Sequence, residues 1–415
     1  MDKKPLIWKC LTLGIILLFV GTCIIPAIAQ DTEKSLPTSR GNWLYVGGSG
    51  PGNYTKIQDA IDNASDGDTV FVYDDSSPYI ENIGITTSIS LIGENKTTTI
   101  IKPSYHAITI SIRTSNVTIQ GFTIDCETVG GNCIECRGSN TTISNNILSN
   151  GINGIILGSG DYNKAIGNNI SGCIRAILAS SPRFDIISKN IITYNEEPIK
   201  LDDAQNVTIS YNIIKMNDKA LDIEYLQDGE IYNNTITHNG GGVFIVGKNN
   251  TIRNNYIAEN KGPGNHGFGI MIVESENTIV KDNNIINNSW KGIDIKHSSD
   301  IAIIHNNLKE NSKGGFIISV SVRVKILQNN IIEKRPRIVY FIIVPFFNII
   351  IFENYWNDMH LKRKILFGVI GRLLAPGGVD DWGFPTIPIY FVFPFIGIKM
   401  DIKPALEPYD IPGMT

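Results

Sequence analysis

Isoleucine and asparagine recur along the chain in a pattern that repeats about every 22 residues. In each unit a stretch of the form Ile-x-Asn-Asn-x-Ile is followed by a few polar residues and then by Gly-Ile-x-Ile. When the second residue of each Asn-containing pair is used as a marker, successive markers are 21–24 residues apart, with one step of 29. A repeat of this length is typical of a solenoid.

Within one unit, apolar and polar residues alternate over only three to five positions, which predicts short strands and leaves no stretch long enough for a helix. The glycine and asparagine residues between these stretches supply the positive φ angles of tight bends. Leucine-rich repeats have a similar period but need leucine at fixed positions, where this chain has isoleucine. The pattern therefore predicts an all-β fold, a single-stranded right-handed parallel β-helix with about 22 residues per coil.

The recurring asparagine is predicted to be structural. One coil alone can neither bury its isoleucine face nor pair its backbone groups, whereas neighbouring coils about 4.8 Å away do both. An asparagine at the same phase of each coil can then hydrogen-bond to its counterparts along the stack. The predicted ladder consists of Asn146, Asn169, Asn190, Asn212, Asn234, Asn255, Asn284, Asn307 and Asn330.

The same reading divides the chain into segments. Three lysines, an apolar run and a small-x-small site predict a cleaved signal peptide over residues 1–29, and therefore export, with a retained membrane anchor as the alternative. Residues 30–42 are predicted to be a linker and 43–335 the β-helix, in which 54–64 form an amphipathic helix that covers the N-terminal end. Residues 336–415, rich in aromatic residues and proline, are predicted to form the last coils and a C-terminal cap.

Composition excludes some functions. Charged residues make up 18% of the chain, the net charge is −4 and the pI is about 5.9, so nothing indicates a nucleic-acid partner. Four cysteines follow the signal peptide, namely Cys126, Cys133, Cys136 and Cys173. Cys133 and Cys136 form an isolated Cys-x-x-Cys, which is compatible with a local disulfide, with buried thiols or with a metal site.

Several segments resemble a known group of proteins. Residues 43–61 (WLYVGGSGPGNYTKIQDAI), 67–70 (GDTV), 116–122 (NVTIQGF) and 353–358 (ENYWND) are similar to the first, next and closing coils of secreted archaeal parallel β-helix repeat proteins of the NosD-like and pectate-lyase-like group. The resemblance covers nearly all of residues 42–415 and implies the β-helix fold and export. The NosD name also implies copper delivery, for which the exported part of the sequence offers few Met and Cys residues and no clustered His.

The Gly-Ile-x-Ile stretches predict which side chains point outward. If the glycine is position one, positions three and five face solvent, which brings Asp202, Asp222 and Glu224 together as candidate catalytic acids. Adjacent carboxylates need a cation, a proton or a lysine between them. Lys200 is predicted to supply that charge, and Ca²⁺ is the alternative. The candidate binding residues on this face are Lys200, Phe244, Met271 and Asp294.

Three functions follow from these observations. The first is a secreted or cell-surface protein that binds polysaccharide or another cell-envelope glycan without catalysis. The second is a polysaccharide lyase or glycoside hydrolase that uses the three acids. The third is a NosD-like accessory protein for metal delivery. None of them requires a membrane span after the signal peptide is removed.

Overall fold

The computed structural model describes residues 41–105, 108–126, 131–219, 221–264, 266–332, 349–352, 355–356 and 398–399. The predicted signal peptide lies outside these residues. The described part contains one helix, α1 (Ile57–Asp62), and 39 short strands. In chain order the strands are β1 (Trp43–Val46), β2 (Thr69–Val72), β3 (Tyr79–Ile80), β4 (Ile83–Ile85), β5 (Ser90–Gly93), β6 (Ile100–Lys102), β7 (Ile108–Ile112), β8 (Thr118–Gln120), β9 (Thr123–Asp125), β10 (Asn132–Cys136), β11 (Thr142–Ser144), β12 (Ile147–Ser149), β13 (Asn153–Leu157), β14 (Lys164–Ile166), β15 (Asn169–Ser171), β16 (Arg175–Ser180), β17 (Ile186–Ser188), β18 (Ile191–Thr193), β19 (Glu197–Asp202), β20 (Thr208–Ser210), β21 (Ile213–Lys215), β22 (Leu221–Gln227), β23 (Glu230–Tyr232), β24 (Thr235–Thr237), β25 (Val243–Lys248), β26 (Thr251–Arg253), β27 (Tyr256–Ala258), β28 (Ile270–Glu276), β29 (Ile279–Lys281), β30 (Asn284–Ile286), β31 (Ile293–Lys296), β32 (Ala302–Ile304), β33 (Asn307–Lys309), β34 (Phe316–Ser319), β35 (Lys325–Leu327), β36 (Asn330–Ile332), β37 (Ile349–Phe352), β38 (Tyr355–Trp356) and β39 (Ile398–Lys399).

Over the described residues the strands form three parallel sheets. Sheet A has 15 strands, in the order β1-β2-β5-β8-β11-β14-β17-β20-β23-β26-β29-β32-β35-β37-β39. Sheet B has 13, in the order β3-β6-β9-β12-β15-β18-β21-β24-β27-β30-β33-β36-β38, and sheet C has 11, in the order β4-β7-β10-β13-β16-β19-β22-β25-β28-β31-β34. Each coil adds one strand to each sheet. The predicted right-handed parallel β-helix is confirmed, with about 13 coils of about 22 residues.

The interior of the coil is filled by stacked aliphatic side chains. In sheet A, for example, Ile187 of β17 is in register with Ala165 on one side and Ile209 on the other, and all three are fully buried. The residues on either side of Ile209 in β20 point outward. Each isoleucine buried in this way contributes about 1.5–3 kcal/mol to folding, so the column stabilises the coils through area removed from water.

A ladder of buried asparagines runs along the corner between sheets A and B. In Asn168, Nδ2 donates to Oδ1 of Asn190 at 3.1 Å and to the carbonyl oxygen of Ile143 at 2.9 Å. Its own Oδ1 accepts from the backbone N–H and the Nδ2 of Asn146. Every hydrogen-bonding group of the amide is therefore satisfied. The members are Asn146, Asn168, Asn190, Asn212, Asn234, Asn255, Asn283, Asn306 and Asn329.

Four of the nine predicted positions were wrong by one residue. Asn169, Asn284, Asn307 and Asn330 are not in this ladder but are the first residues of β15, β30, β33 and β36. The physical reason is that the ladder asparagine directly follows a residue with positive φ. At these four coils that residue is Gly167, Asp282, His305 or Gln328, so the first asparagine of each Asn-Asn pair is the ladder member.

A second asparagine ladder, which the sequence analysis missed, runs along the corner between sheets B and C. Nδ2 of Asn217 donates to Oδ1 of Asn239 at 2.9 Å and to the carbonyl oxygen of Ile192 at 3.1 Å. The two ladders together place buried amides at two of the three corners of the coil. The members of the second ladder are Asn195, Asn217, Asn239, Asn260, Asn288 and Asn311.

The predicted helix is present, although it is shorter than 54–64. Its buried face, Ile57, Ala60 and Ile61, joins the core and contacts β1, β2 and β4. The carboxylate of Glu81 accepts hydrogen bonds from the backbone N–H groups of Ile57 and Gln58, at 2.9 and 3.0 Å. Glu81, which is distant in sequence, thus pairs with the free N–H groups at the start of the helix. The side chain of Lys56, the residue before the helix, makes no such hydrogen bond.

The C-terminal region continues the same pairing where the structure describes it. Strands β37 and β39 extend sheet A and β38 extends sheet B. The remainder of the predicted C-terminal cap lies outside the described residues. The long step in the repeat corresponds to extra residues between β27 and β28, where the turn from sheet B to sheet C is enlarged.

We predict that Asn168→Ala and Asn169→Ala differ strongly in stability. Loss of the Asn168 amide removes the side-chain partner of a buried backbone N–H and of a carbonyl, and removes the bonds to the amides of Asn146 and Asn190. It should lower the free energy of unfolding by about 3–5 kcal/mol. Asn169→Ala, at a half-exposed strand position, should cost less than about 1 kcal/mol. Urea unfolding followed by circular dichroism measures both. Equal losses would contradict the ladder register.

Candidate functional site

The outer surface of sheet C carries the predicted acids. Strands β19 and β22 are neighbours, and their register pairs Lys200 with Asp222 and Asp202 with Glu224. The residue between each pair points inward and is fully buried, so these four side chains point outward together. We call Lys200, Asp202, Asp222 and Glu224 the acidic edge.

One ammonium group links the three carboxylates of the acidic edge. Nζ of Lys200 lies 3.1 Å from Oδ2 of Asp222, 3.5 Å from Oε1 of Glu224 and 3.7 Å from Oδ1 of Asp202. The carboxylate side chains are 31–42% exposed. The ammonium group of Lys200 thus occupies the position between the carboxylates for which Ca²⁺ was the alternative. The carboxylate side chains remain partly accessible.

The charge state of Lys200 follows from this arrangement. Partial burial alone would lower the pKa of Lys200, but the hydrogen bond and charge of Asp222, with the charges of Asp202 and Glu224, outweigh it and raise the pKa above its usual value. Lys200 is therefore a cation at neutral pH. The acidic edge as a whole carries an excess of negative charge.

The remaining predicted binding residues continue the row occupied by Lys200 and Asp222. Phe244, Met271 and Asp294 follow in register on β25, β28 and β31. Phe244 is half-buried, as an outer residue can be. The expectation that Met271 and Asp294 are accessible was wrong, because Met271 is 9% exposed and Asp294 is fully buried between Lys291 and Lys296. A buried carboxylate needs such paired cations.

An exposed aromatic pair follows the C-terminal end of sheet C, and the sequence analysis missed it. The rings of Tyr162 and Phe184, on consecutive coils, are nearly parallel at 7°, with centroids 4.8 Å apart. They are 53% and 43% exposed. The backbone N–H of Tyr162 donates to the carbonyl oxygen of Arg183, which fixes the two turns at the coil spacing. We call Tyr162 and Phe184 the aromatic turn.

The backbone of the aromatic turn has positive φ. Tyr162 and Phe184 have φ of 62° and 58°, a conformation that costs a bulky residue more than it costs asparagine or glycine. The bends of this solenoid impose it throughout, and Asn140 and Asn206, the neighbours in this column, have similar φ. What distinguishes the aromatic turn is that two aromatic residues replace polar ones in this column, a signal that an alignment of the repeats contains.

A third aromatic residue lies beside the acidic edge. Tyr225 directly follows Glu224, is 63% exposed and also has positive φ, 58°. It lies above Asp203 in the column at the C-terminal end of sheet C. Tyr225 and the aromatic turn are therefore exposed at the same end of sheet C, with Tyr225 two coils beyond Phe184.

A buried aspartate lies directly behind the aromatic turn. Oδ1 of Asp185 accepts a hydrogen bond from the backbone N–H of Asn163 at 2.7 Å, and Oδ2 is buried without a partner among the described residues. Burial raises the pKa of Asp185 to about 7, against the lowering effect of the Asn163 hydrogen bond and with a smaller raising effect from the charge of Asp161. Asp185 is thus half-protonated near neutral pH.

Two family models match the chain. The model described as "Periplasmic copper-binding protein (NosD)" matches residues 61–262, and the model described as "Right handed beta helix region" matches residues 223–341. The first match falls on the coils described above, and so does the second as far as residue 332. The chain is a NosD-like right-handed β-helix repeat protein. No curated protein matches it.

Solved structures resemble the NosD-like chain in fold only. DFA-IIIase from Arthrobacter chlorophenolicus A6 in complex with GF2 has a TM-score of 0.58 at 10% identity, covering 70% of this chain and 94% of that one. The Dettilon tailspike protein (gp208) has a TM-score of 0.51 at 14% identity, covering 72% and 68%. At such identities the likeness shows the β-helix and assigns no active-site residue.

Copper, which the NosD description implies, does not fit the residues present. Within the described ranges, no group of three or more His, Cys, Asp or Glu side chains is placed to hold a metal ion. Cys126, Cys133, Cys136 and Cys173 are all free and buried. The described ranges also contain no helix that is long and apolar enough to cross a bilayer.

We predict that Asp185→Asn stabilises the protein more at pH 8 than at pH 5. The folded state keeps the proton of Asp185 up to about pH 7, whereas the unfolded chain loses it near pH 4, so wild-type stability falls as the pH rises between these values. Asparagine mimics the protonated form, and should gain about 2–4 kcal/mol at pH 8. Urea unfolding at both pH values is the measurement, with the exposed Asp203→Asn as control. An equal effect at pH 5 and pH 8 would contradict the titration.

Proposed function

We propose that this protein binds a neutral polysaccharide, without cleaving it, along the strip formed by the acidic edge, Tyr225 and the aromatic turn. The observation that carries the proposal is the exposed, parallel pair of Tyr162 and Phe184. Flat apolar faces with polar groups nearby are what a sugar ring, which has C–H faces and hydroxyl edges, requires of a binding surface.

The charges of the strip favour a neutral ligand over a polyanion. Three carboxylates and one ammonium leave the acidic edge with an excess of negative charge, which repels uronate polymers. The exposed oxygen atoms of Asp202 and Glu224 can instead accept hydrogen bonds from sugar hydroxyls. Charge-assisted bonds of this kind are stronger than neutral ones and give direction to the binding.

The absence of cleavage follows from Lys200. A lyase needs a base to remove a proton, and a lysine with a raised pKa is protonated at neutral pH. The same ammonium lies within 3.7 Å of an oxygen atom of all three candidate acids. This arrangement suits a fixed binding surface.

The comparisons support the class of ligand and the location. DFA-IIIase has been solved with bound GF2 and with bound DFA-III on a similar solenoid. The NosD model is that of a periplasmic protein, in agreement with the predicted export. These observations support a protein outside the cytoplasm that binds a glycan of the cell envelope or of the environment.

We predict that Tyr162→Asn and Phe184→Asn each weaken glycan binding about tenfold without loss of stability. Asparagine is the residue of the neighbouring coils and relieves the backbone strain, so these variants remove only the ring faces. The matched control is Tyr194→Asn, an exposed tyrosine with positive φ at the corner between sheets B and C. Calorimetric titration with soluble neutral polysaccharides gives the affinities. Unchanged binding in both variants would exclude the aromatic turn as the site.

We predict that the wild-type protein releases no product from the polysaccharides it binds. Incubation with neutral and uronate polysaccharides, followed by assays for reducing ends and unsaturated sugars, tests this. Asp222→Asn should weaken binding several-fold, because it removes a charged acceptor, while Asp218→Asn, at an exposed position at the corner between sheets B and C, should not. Reducing ends or unsaturated products that disappear in Asp222→Asn would replace the binding function with a hydrolase or lyase.

A further inference from the structure

Three of the four cysteines meet at one corner of the coil. Sγ of Cys126, directly after β9, lies 2.9 Å from Sγ of Cys133 in β10. Cys133 also shares a hydrogen bond with Cys173. All three side chains are buried, so no solvent separates them. Cys133 is therefore the central member of the group, with one candidate partner on each side.

The Cys-x-x-Cys motif is not the pair that the structure brings together. Cys136 lies three residues further along the extended strand, about 10 Å away, beyond the reach of a disulfide. Its Sγ instead contacts the carbonyl oxygen of Gly138 at 3.3 Å and Oδ1 of Asn163 at 3.8 Å. The partner of Cys133 is thus set by the turn between sheets B and C, and not by spacing within β10.

The thiols stand where the second asparagine ladder stops. The backbone N–H of Cys173 donates to Oδ1 of Asn195, the first amide of that ladder, so Cys173 occupies the next position of the column. One coil toward the N-terminus, the corresponding position of this corner is Gly151, and Sγ of Cys133 lies next to Gly151. The coils there lack the side-chain amides that hold this corner in later coils. A Cys126–Cys133 bond lies within the single coil formed by β8, β9 and β10, and would fix β9 to β10 across the corner.

We propose that Cys126 and Cys133 form a disulfide that closes the corner between sheets B and C within one N-terminal coil. The two thiols give up two electrons and two protons to an oxidant of the disulfide class, such as an exchange protein or oxidised glutathione, which is reduced to two thiols. Exchange proceeds by thiolate attack through a mixed disulfide. Because both sulfur atoms are buried in the folded coil, the bond forms before this corner packs, and burial then protects it from reduction.

The test is a disulfide map of the full chain produced under oxidising conditions, alkylated while denatured and cleaved after glutamate. Glu127 and Glu135 separate the three cysteines of this segment, so each linkage gives a distinct peptide pair. The expected result is a Cys126–Cys133 link with Cys136 and Cys173 alkylated. Alkylation of all four cysteines, or a Cys133–Cys136 or Cys133–Cys173 link in the wild type, would overturn the proposal.

Thermal unfolding provides a second measurement. The oxidised wild type should melt a few degrees above the reduced protein, since a cross-link restricts the unfolded chain. The difference should persist in Cys136→Ser, the matched control with a buried cysteine outside the group, and vanish in Cys133→Ser. An oxidised–reduced difference that survives in Cys133→Ser would place the cross-link elsewhere and contradict the assignment.

Discussion

The buried asparagine amide is the group on which the regularity of this solenoid depends. Backbone pairing alone would hold two coils together but would leave the groups at the bends without partners, since a residue with positive φ interrupts the strand there. Each ladder amide accepts from a backbone N–H and donates to a carbonyl of the preceding coil, and also bonds to the amide of the next coil. Two such columns fix the positions of two corners, and the aliphatic interior is then packed at a constant register.

The β-helix could be predicted from the sequence because the same pattern of isoleucine, asparagine and glycine recurs in coil after coil. The isoleucine columns lie as predicted, and the row from Lys200 to Asp294 keeps one register along sheet C, although Met271 and Asp294 in it are covered. The one-residue error at Asn168 arose because an Asn-Asn pair does not reveal which member follows the bend; a constant step of 22 residues would have favoured Asn168. Accessibility was harder to predict, as buried Asp294 illustrates, because local alternation determines where a side chain points but not what covers it.

The proposed binding strip combines two departures from the repeat. Aromatic residues stand in a column that other coils fill with asparagine, and acidic residues cluster around one lysine. Neither departure improves the fold, since the first strains the backbone and the second accumulates like charges. Departures of this kind are expected where a stable scaffold carries a function, and the surplus stability of a long ladder makes them tolerable.

The enlarged turn between β27 and β28 shows that a turn of this solenoid can be lengthened without a change in the spacing of the ladder. Asn255 and Asn283 are 28 residues apart, yet their amides meet at 3.0 Å, the same separation as between Asn234 and Asn255. The extra residues are accommodated in the turn, and the hydrogen bond between the ladder amides keeps the same length. Insertions in such a turn can therefore add new surface at a corner of the coil. The only cost is the small loss of entropy on closing a longer loop.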